Sequence, residues 1–231
     1  MKRSQPDHYT DKAKKAGYPA RSVYKLEEIQ NKHQVLPRGS SVLDIGAAPG
    51  SWSMYASQQV GPQGRVVAVD LKECSIPGGF QNVETFTGDA FSSEVMIKLS
   101  DRGPYNVILS DAAPATTGNR TVDTSRSAGL AEQCIAAAGQ LLTPSGNLVI
   151  KLFQGGEEQQ ILQQLRGLFK AAKPFKPKSS RKESFEVFMI ATGFHGSKGT
   201  DSGQAGSGAP EGPGSSGGSG RSVDPKGGRY D

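Results

Sequence analysis

From residue 41 onward, short apolar runs alternate with stretches of helical period. Runs rich in Val, Ile and Leu predict strands near 41–45, 65–70, 82–86, 105–110, 146–152 and 184–192, with a further short one near 172–175. Between them, apolar positions three and four apart predict helices near 51–60, 92–100, 125–141 and 157–170. Alternation of this kind specifies an α/β fold: a Rossmann-like, doubly wound, mostly parallel sheet of seven strands with helices on both faces. The apolar stretch Phe185–Thr192 follows a Pro/Lys-rich turn, so a hairpin there makes the last strand antiparallel. Ahead of the alternation, helices are predicted near 9–16 and 21–32, separated by Gly17 and Pro19. In the second of these, Val23, Leu26 and Ile29 or Glu28 mark the face that packs inward.

Composition divides the chain into three parts: a basic helical arm over 1–35, the α/β domain over 36–195, and a tail over 196–231. From Gly196 to Asp231 there are 12 glycines, much serine and proline and almost nothing apolar. Such a segment buries too little surface to offset its ordering entropy, so disorder is expected. Charge sharpens the division. Lys198, Arg221, Lys226 and Arg229 balance Asp201, Glu211, Asp224 and Asp231, so the net charge of +5 sits on residues 1–195. Lysines and arginines, among them Lys12, Lys14, Lys15 and Arg21, interleave with Tyr9, Tyr18 and Tyr24. Basic and aromatic residues in alternation are as consistent with an RNA-facing arm as with a merely solvated face.

Cys74 and Cys134 show neither C-x-x-C spacing nor a nearby histidine pair. Neither a metal site nor a disulfide framework is expected, and a reducing cytoplasm is the default setting. No apolar run reaches the length of a membrane span, and MKRSQPDHYT lacks the apolar core of a secretory signal.

Chemistry concentrates where strands end. In Ser41-Val42-Leu43-Asp44-Ile45-Gly46-Ala47-Ala48-Pro49-Gly50-Ser51-Trp52 an apolar run reaches a carboxylate, then two glycines four apart, then a helix start. Gly46 and Gly50 let backbone approach a nucleotide-like ligand, in a spacing unlike the G-x-G-x-x-G of dinucleotide sites. The carboxylate suits a ligand bearing positive charge, such as S-adenosylmethionine. Asp70 closes the second strand, where a carboxylate accepts ribose hydroxyls. Asp89 follows the third, placed to accept from an adenine amino group, and Asp111 ends the fourth. A lone strand-end Asp is often a cap or turn former, but three in succession outweigh that explanation. Lys151 follows Leu148-Val149-Ile150, an apolar setting that favours a neutral lysine and general-base work. Lys25 and Glu186 are its candidate neighbours, and spacing alone does not bring these groups together.

Four segments in collinear order carry a resemblance: Asp44–Ser53, Ser110–Pro114, Lys151–Gly155 and Ser179–Gly193, with Gly17–Leu26 as a fifth. Together they resemble the FtsJ/RrmJ (RlmE) family, which contains ribosomal RNA 2′-O-ribose methyltransferases, over roughly residues 8–195. Ser51 in place of a glycine and Ala112 in place of a frequent methionine are departures. The resemblance implies an S-adenosylmethionine-dependent methyltransferase fold and a catalytic tetrad on Lys25, Asp111, Lys151 and Glu186. It implies cofactor contacts on Gly50, Trp52, Asp70, Asp89 and Asp111, beside Gly46 from the turn itself. Lys12, Lys14, Lys15, Arg21, Lys173, Lys176, Lys178, Arg181 and Lys182 are then expected to grip RNA phosphates. The implied substrate is a uridine in the A-loop of large-subunit ribosomal RNA, met by a monomer without metal or membrane. Transfer-RNA and mRNA cap ribose methyltransferases share the tetrad, and a non-catalytic RNA-binding protein of the same fold stays open. A nicotinamide dehydrogenase is disfavoured by the glycine spacing.

Overall fold

The computed structural model describes residues 8–181 and 183–196. Lys182 and the segment from 197 onward, with the disorder expected of it, lie outside them. The described residues all fall in the first of the chain's two units, Met1–Gly199 and Thr200–Asp231.

Two helices come first, α1 (His8–Lys15) and α2 (Val23–His33). Then follow β1 (Ser41–Ile45), α3 (Ser51–Val60), β2 (Arg65–Asp70), β3 (Val83–Thr87), α4 (Ser93–Asp101) and β4 (Tyr105–Ser110). The second half runs α5 (Arg120–Leu141), β5 (Leu142–Phe153), α6 (Glu158–Leu168), β6 (Phe169–Phe175) and β7 (Glu186–Phe194). The seven strands form one sheet in the order β3-β2-β1-β4-β5-β7-β6. Pairing is parallel from β3 through β5, and β7 runs antiparallel to both β5 and β6. The expected antiparallel final strand is present, inserted between its neighbours rather than added at the edge.

Period-2 alternation explains the two layers of helices. Val42, Val107, Leu109, Val149, Phe188 and Ile190 cluster with buried residues of α1, α2 and α3. Their immediate neighbours Leu43, Ile108, Leu148, Ile150, Met189 and Ala191 cluster with α4, α5 and α6. The N-terminal helices are therefore packed parts of one sheet face, with Ala13, Val23, Leu26 and Ile29 fully buried.

Two boundaries move from the sequence pattern for identifiable reasons. Helix α6 stops at Leu168 and β6 starts at Phe169, because Phe169 pairs with Phe194 across β7 with ring centroids 5.2 Å apart. Burying those rings overrides the helix propensity of Lys170-Ala171-Ala172. Helix α5 begins at Arg120, earlier than the periodicity predicts, since the Asn119 side chain caps it by accepting from the Thr121 and Val122 amides.

Candidate active site

The chain reverses its direction across the sheet between β1 and β4, and the carboxyl ends of the strands there enclose a cavity of about 860 Å³. Ligands of open α/β sheets occupy this place. Gly46, Asp70, Asp89 and Asp111 line it, with Leu71 and Phe91 as apolar walls. Gly46 has φ +76°, and a Cβ there would stand 2.5 Å from that of Ala112, so only glycine fits between the first and fourth strand ends. Asp70 accepts from the backbone amides of Ala48 (3.0 Å) and Lys72 (2.8 Å), which fixes its carboxylate toward the cavity mouth. Asp89 accepts from the Phe91 amide at 3.0 Å.

Beneath the turn lies Asp44, 1 % exposed. Its Oδ2 accepts from the Ser53 hydroxyl at 2.6 Å, and its Oδ1 has no hydrogen-bond partner among the described residues. Burial pushes its carboxyl up to about 7 against the Ser53 hydrogen bond, with the charges of Asp111 and Asp70 adding to the rise. Asp70 and Asp111 line the cavity and Asp44 lies buried behind it, close enough for the charges of the other two to act on its carboxyl.

Neither Gly50 nor Trp52 is among the residues that line that cavity. Gly50 (φ +109°) is squeezed by the Ile76 side chain, 2.6 Å from where a Cβ would sit. Trp52 is drawn into the core under α2, because its large apolar ring gains most by burial there. Its indole N–H donates to the Ser22 carbonyl at 2.8 Å, and its ring lies 5.6 Å from that of Phe188.

The four residues of the expected tetrad do meet, and register explains how. Ser110 pairs with Ile150 across β4 and β5, so Asp111 and Lys151 emerge side by side. Lys151 pairs with Phe188 across β5 and β7, and Glu186 lies two residues before Phe188 on the same face. Lys25 descends from α2 onto that face. Lys151 Nζ lies 2.9 Å from Asp111 Oδ1 and also donates to the Asp111 carbonyl. Lys25 Nζ lies 3.7 Å from Asp111 Oδ1 and 2.8 Å from Glu186 Oε1. The result is one unbroken line, Lys151–Asp111–Lys25–Glu186, whose side chains are 9–16 % exposed. Burial tends to raise the Glu186 carboxyl, but the Lys25 charge and hydrogen bond, the Ser180 hydroxyl and the Lys151 charge together hold it below the usual carboxylate range. The apolar setting expected for Lys151 is half present: Leu148, Ile150 and Leu152 face the opposite layer, while Val149 and Phe188 share its side.

A second cleft of about 490 Å³ opens beside this line between Arg21, Lys25, Arg181 and Glu186. Burial first, then the Arg181 charge, lower the Arg21 guanidinium pKa, with Glu186 opposing. Lys12, Lys14, Lys15, Lys173, Lys176, Lys178 and Arg181 are all solvent-exposed, the first three on α1 and the others on β6 and the segment after it. Among the described residues no group of three His, Cys, Asp or Glu side chains could hold a metal ion. No helix among them is long and apolar enough to cross a membrane.

The family model described as FtsJ-like methyltransferase matches residues 18–194. The chain belongs to that family. Among FtsJ-like proteins, one from Treponema denticola named Ribosomal RNA large subunit methyltransferase E is 45% identical over 195 residues, 84% of this chain and 98% of the relative. One of the same name from Oleidesulfovibrio alaskensis is 47% identical over 194 residues, 82% of this chain and 92% of the relative. A Plasmodium falciparum structure, provisionally described as a ribosomal RNA methyltransferase, superposes with a TM-score of 0.70 at 26% identity, over 78% of this chain and all of that one. Aeropyrum pernix fibrillarin, solved with natively bound S-adenosyl-L-methionine, shares the fold with a TM-score of 0.56 at 17% identity, over 74% of this chain and 76% of its own.

Proposed function

We propose that this FtsJ-like methyltransferase transfers a methyl group from S-adenosylmethionine to a ribose 2′-hydroxyl of large-subunit ribosomal RNA. The observation that carries the reading is the ion-paired line Lys151–Asp111–Lys25–Glu186, which shares Asp111 with the 860 Å³ cavity. The names of the relatives support the ribosomal substrate, and the resemblance read from the sequence supports a uridine of the A-loop.

The cavity lining fits this cofactor. Asp70 would accept from the ribose hydroxyls, Asp89 from the adenine amino group, and Gly46 would leave room for the methionine end. The negative field of Asp44, Asp70 and Asp111 complements its ammonium and sulfonium. When bound, the cofactor supplies a methyl group on a positively charged sulfur that is already a good leaving group. The protein's own task is alignment, which removes an entropic cost from the reaction. Lys151 Nζ orients the 2′-hydroxyl and, in its neutral amine form, takes up its proton as the oxygen becomes nucleophilic. Asp111 holds Lys151 through both its carboxylate and its carbonyl. Lys25 and Glu186 complete the charge balance and hold the ribose edge. A 2′-hydroxyl acceptor restricts the substrate to RNA. The exposed lysines of α1 and of 173–178, with Arg21 and Arg181, grip phosphates without reading bases.

The test is methyl transfer from labelled cofactor to assembled large ribosomal subunits and, separately, to transfer RNA. Transfer confined to a ribose of the large subunit is expected; transfer to transfer RNA alone overturns the ribosomal assignment. Lys151→Ala is expected to bind cofactor as the wild type does and to lose about 10²-fold or more in rate. Full activity in that variant removes Lys151 from the chemistry.

A further inference from the structure

Arg21, Lys25 and Glu28 stand four and three residues apart, one stripe along α2 and the turn that leads into it. Arg21 and Glu28 hold the same piece of chain, the segment between β6 and β7, and Lys25 pairs with Glu186 at the start of β7. Glu28 Oε2 accepts from the Lys178 amide at 2.7 Å and Glu28 Oε1 from the Ser179 amide at 2.8 Å. Arg21 donates to the Ser179 carbonyl. One residue on, the Ser180 hydroxyl donates to Glu186 Oε1 at 2.8 Å, and Lys25 closes the ring on the same carboxylate. The ring therefore runs from Glu28 through Ser179 and Ser180 to Glu186 and back through Lys25 to α2.

We infer that Glu28 is a positioning residue for the proposed methyl transfer, acting through Ser180 and Glu186 to fix where Lys25 and Asp111 sit; this rests on the function proposed above. The contact suits a carboxyl group. Two successive backbone amides point at Glu28, and its two oxygens give each amide an acceptor of its own. Ser179 is 1 % exposed, so an amide released there has little water to turn to. With the segment fixed at 178 and 179, the Ser180 hydroxyl has one Glu186 oxygen in reach. Glu186 then presents itself to Lys25 in a single orientation. Without that anchor the ion-paired line keeps its members but loses its geometry, and alignment is what the reaction needs.

Glu28→Gln retains size and shape and leaves one of the two amides facing an NH₂ group. Its kcat on large ribosomal subunits is expected to fall at least about tenfold, with cofactor Kd by calorimetry close to wild type and the melting temperature lowered by the amide left without an acceptor. Hydrogen exchange at the 178–179 amides is expected to speed up in the same variant, a readout that holds whether or not the RNA substrate is correctly assigned. Glu28→Asp, which keeps both acceptor oxygens, is expected to recover part of the rate. Ser180→Ala is expected to lower kcat as well, and Glu28→Gln with Ser180→Ala to be no slower than the slower single variant, since both cut one path. An unchanged kcat despite faster exchange overturns the inference. So do additive losses, or a loss of cofactor affinity in step with kcat. A wild-type protein that methylates no RNA, while exchange responds as described, overturns the function and leaves the anchor standing.

Discussion

At Asp44 a single buried carboxyl ties stability to pH and, under the proposed function, to cofactor binding. Its folded-state pKa, about 7, lies above that of an unfolded aspartate. The group therefore favours the fold most at low pH; stability is lost as pH rises through about 4 to 7 and is flat above that. The cost of holding it ionised is on the order of 4 kcal/mol. Asp44→Asn keeps the Ser53 contact without the charge. The variant is expected to match or exceed the wild type in melting temperature at pH 8, with a smaller decline between pH 5 and 8. A cationic cofactor favours the ionised form, so wild-type cofactor affinity is expected to rise from pH 6 to 8 and that of Asp44→Asn to be weaker and flat. Calorimetric titrations at both pH values check this; equal affinity and equal pH dependence in the two proteins remove Asp44 from the site. The sequence made Asp44 visible as a strand-end carboxylate before a glycine, as it did Asp70 and Asp111. It did not make Glu28 visible, because its two partners are backbone amides 150 residues away or more, and backbone amides leave no mark in a residue pattern.

Helices α1 and α2 show what periodicity reads well and what it leaves open. Val23, Leu26 and Ile29 are the inward face, while Glu28 belongs to the polar stripe with Lys25, a choice the spacing alone did not decide. The strands were legible because β1, β2, β4 and the end of β5 are short runs of Val, Ile and Leu buried on both sides. β6 was legible only in part, since an edge strand reading Phe-Lys-Ala-Ala-Lys-Pro-Phe is made by its partner rather than by its residues. The basic character of α1 separates into two roles. Lys12 Nζ lies 4.2 Å from the centre of the Tyr24 ring, so it packs as well as carries charge. Lys14 and Lys15 are exposed, on the same short helix. Lys14→Glu with Lys15→Glu is expected to raise the RNA concentration needed for half-maximal rate several-fold, leaving cofactor Kd and melting temperature unchanged. Lys12→Glu is expected to do the same and also to cost about 0.5–1 kcal/mol of stability. Unfolding curves alongside transfer kinetics separate the two; a Lys12→Glu protein as stable as the wild type shows that the ring contact contributes nothing.

The whole molecule brings together residues 25, 111, 151 and 186 by topology. Insertion of β7 between β5 and β6 carries Glu186 back toward the carboxyl end of β5, and α2 covers the face that Lys151 and Phe188 share. No local pattern encodes that convergence, which is why the residues alone left the partners of Lys151 open and the family resemblance was needed to join them. Charge is distributed on the same large scale, and it makes a prediction about the ends of the chain. Residues 197–231 contain four basic and four acidic residues, so removing them leaves the net charge at +5. RNA affinity that depends on phosphate contacts falls with salt by roughly 0.7–0.9 log units per contact for each tenfold increase. If the contacts are made by α1, the 173–178 region, Arg21 and Arg181, the slope belongs wholly to residues 8–195. A protein ending at Gly196 is then expected to show the same salt slope and the same half-saturating RNA concentration as the full chain, whereas Lys14→Glu with Lys15→Glu flattens the slope by about 1–2 units. Methyl-transfer rates measured over a range of salt concentrations distinguish these cases. A shortened protein whose slope drops by a unit or more puts the RNA contact on Lys198, Arg221, Lys226 or Arg229 and takes it away from the folded face.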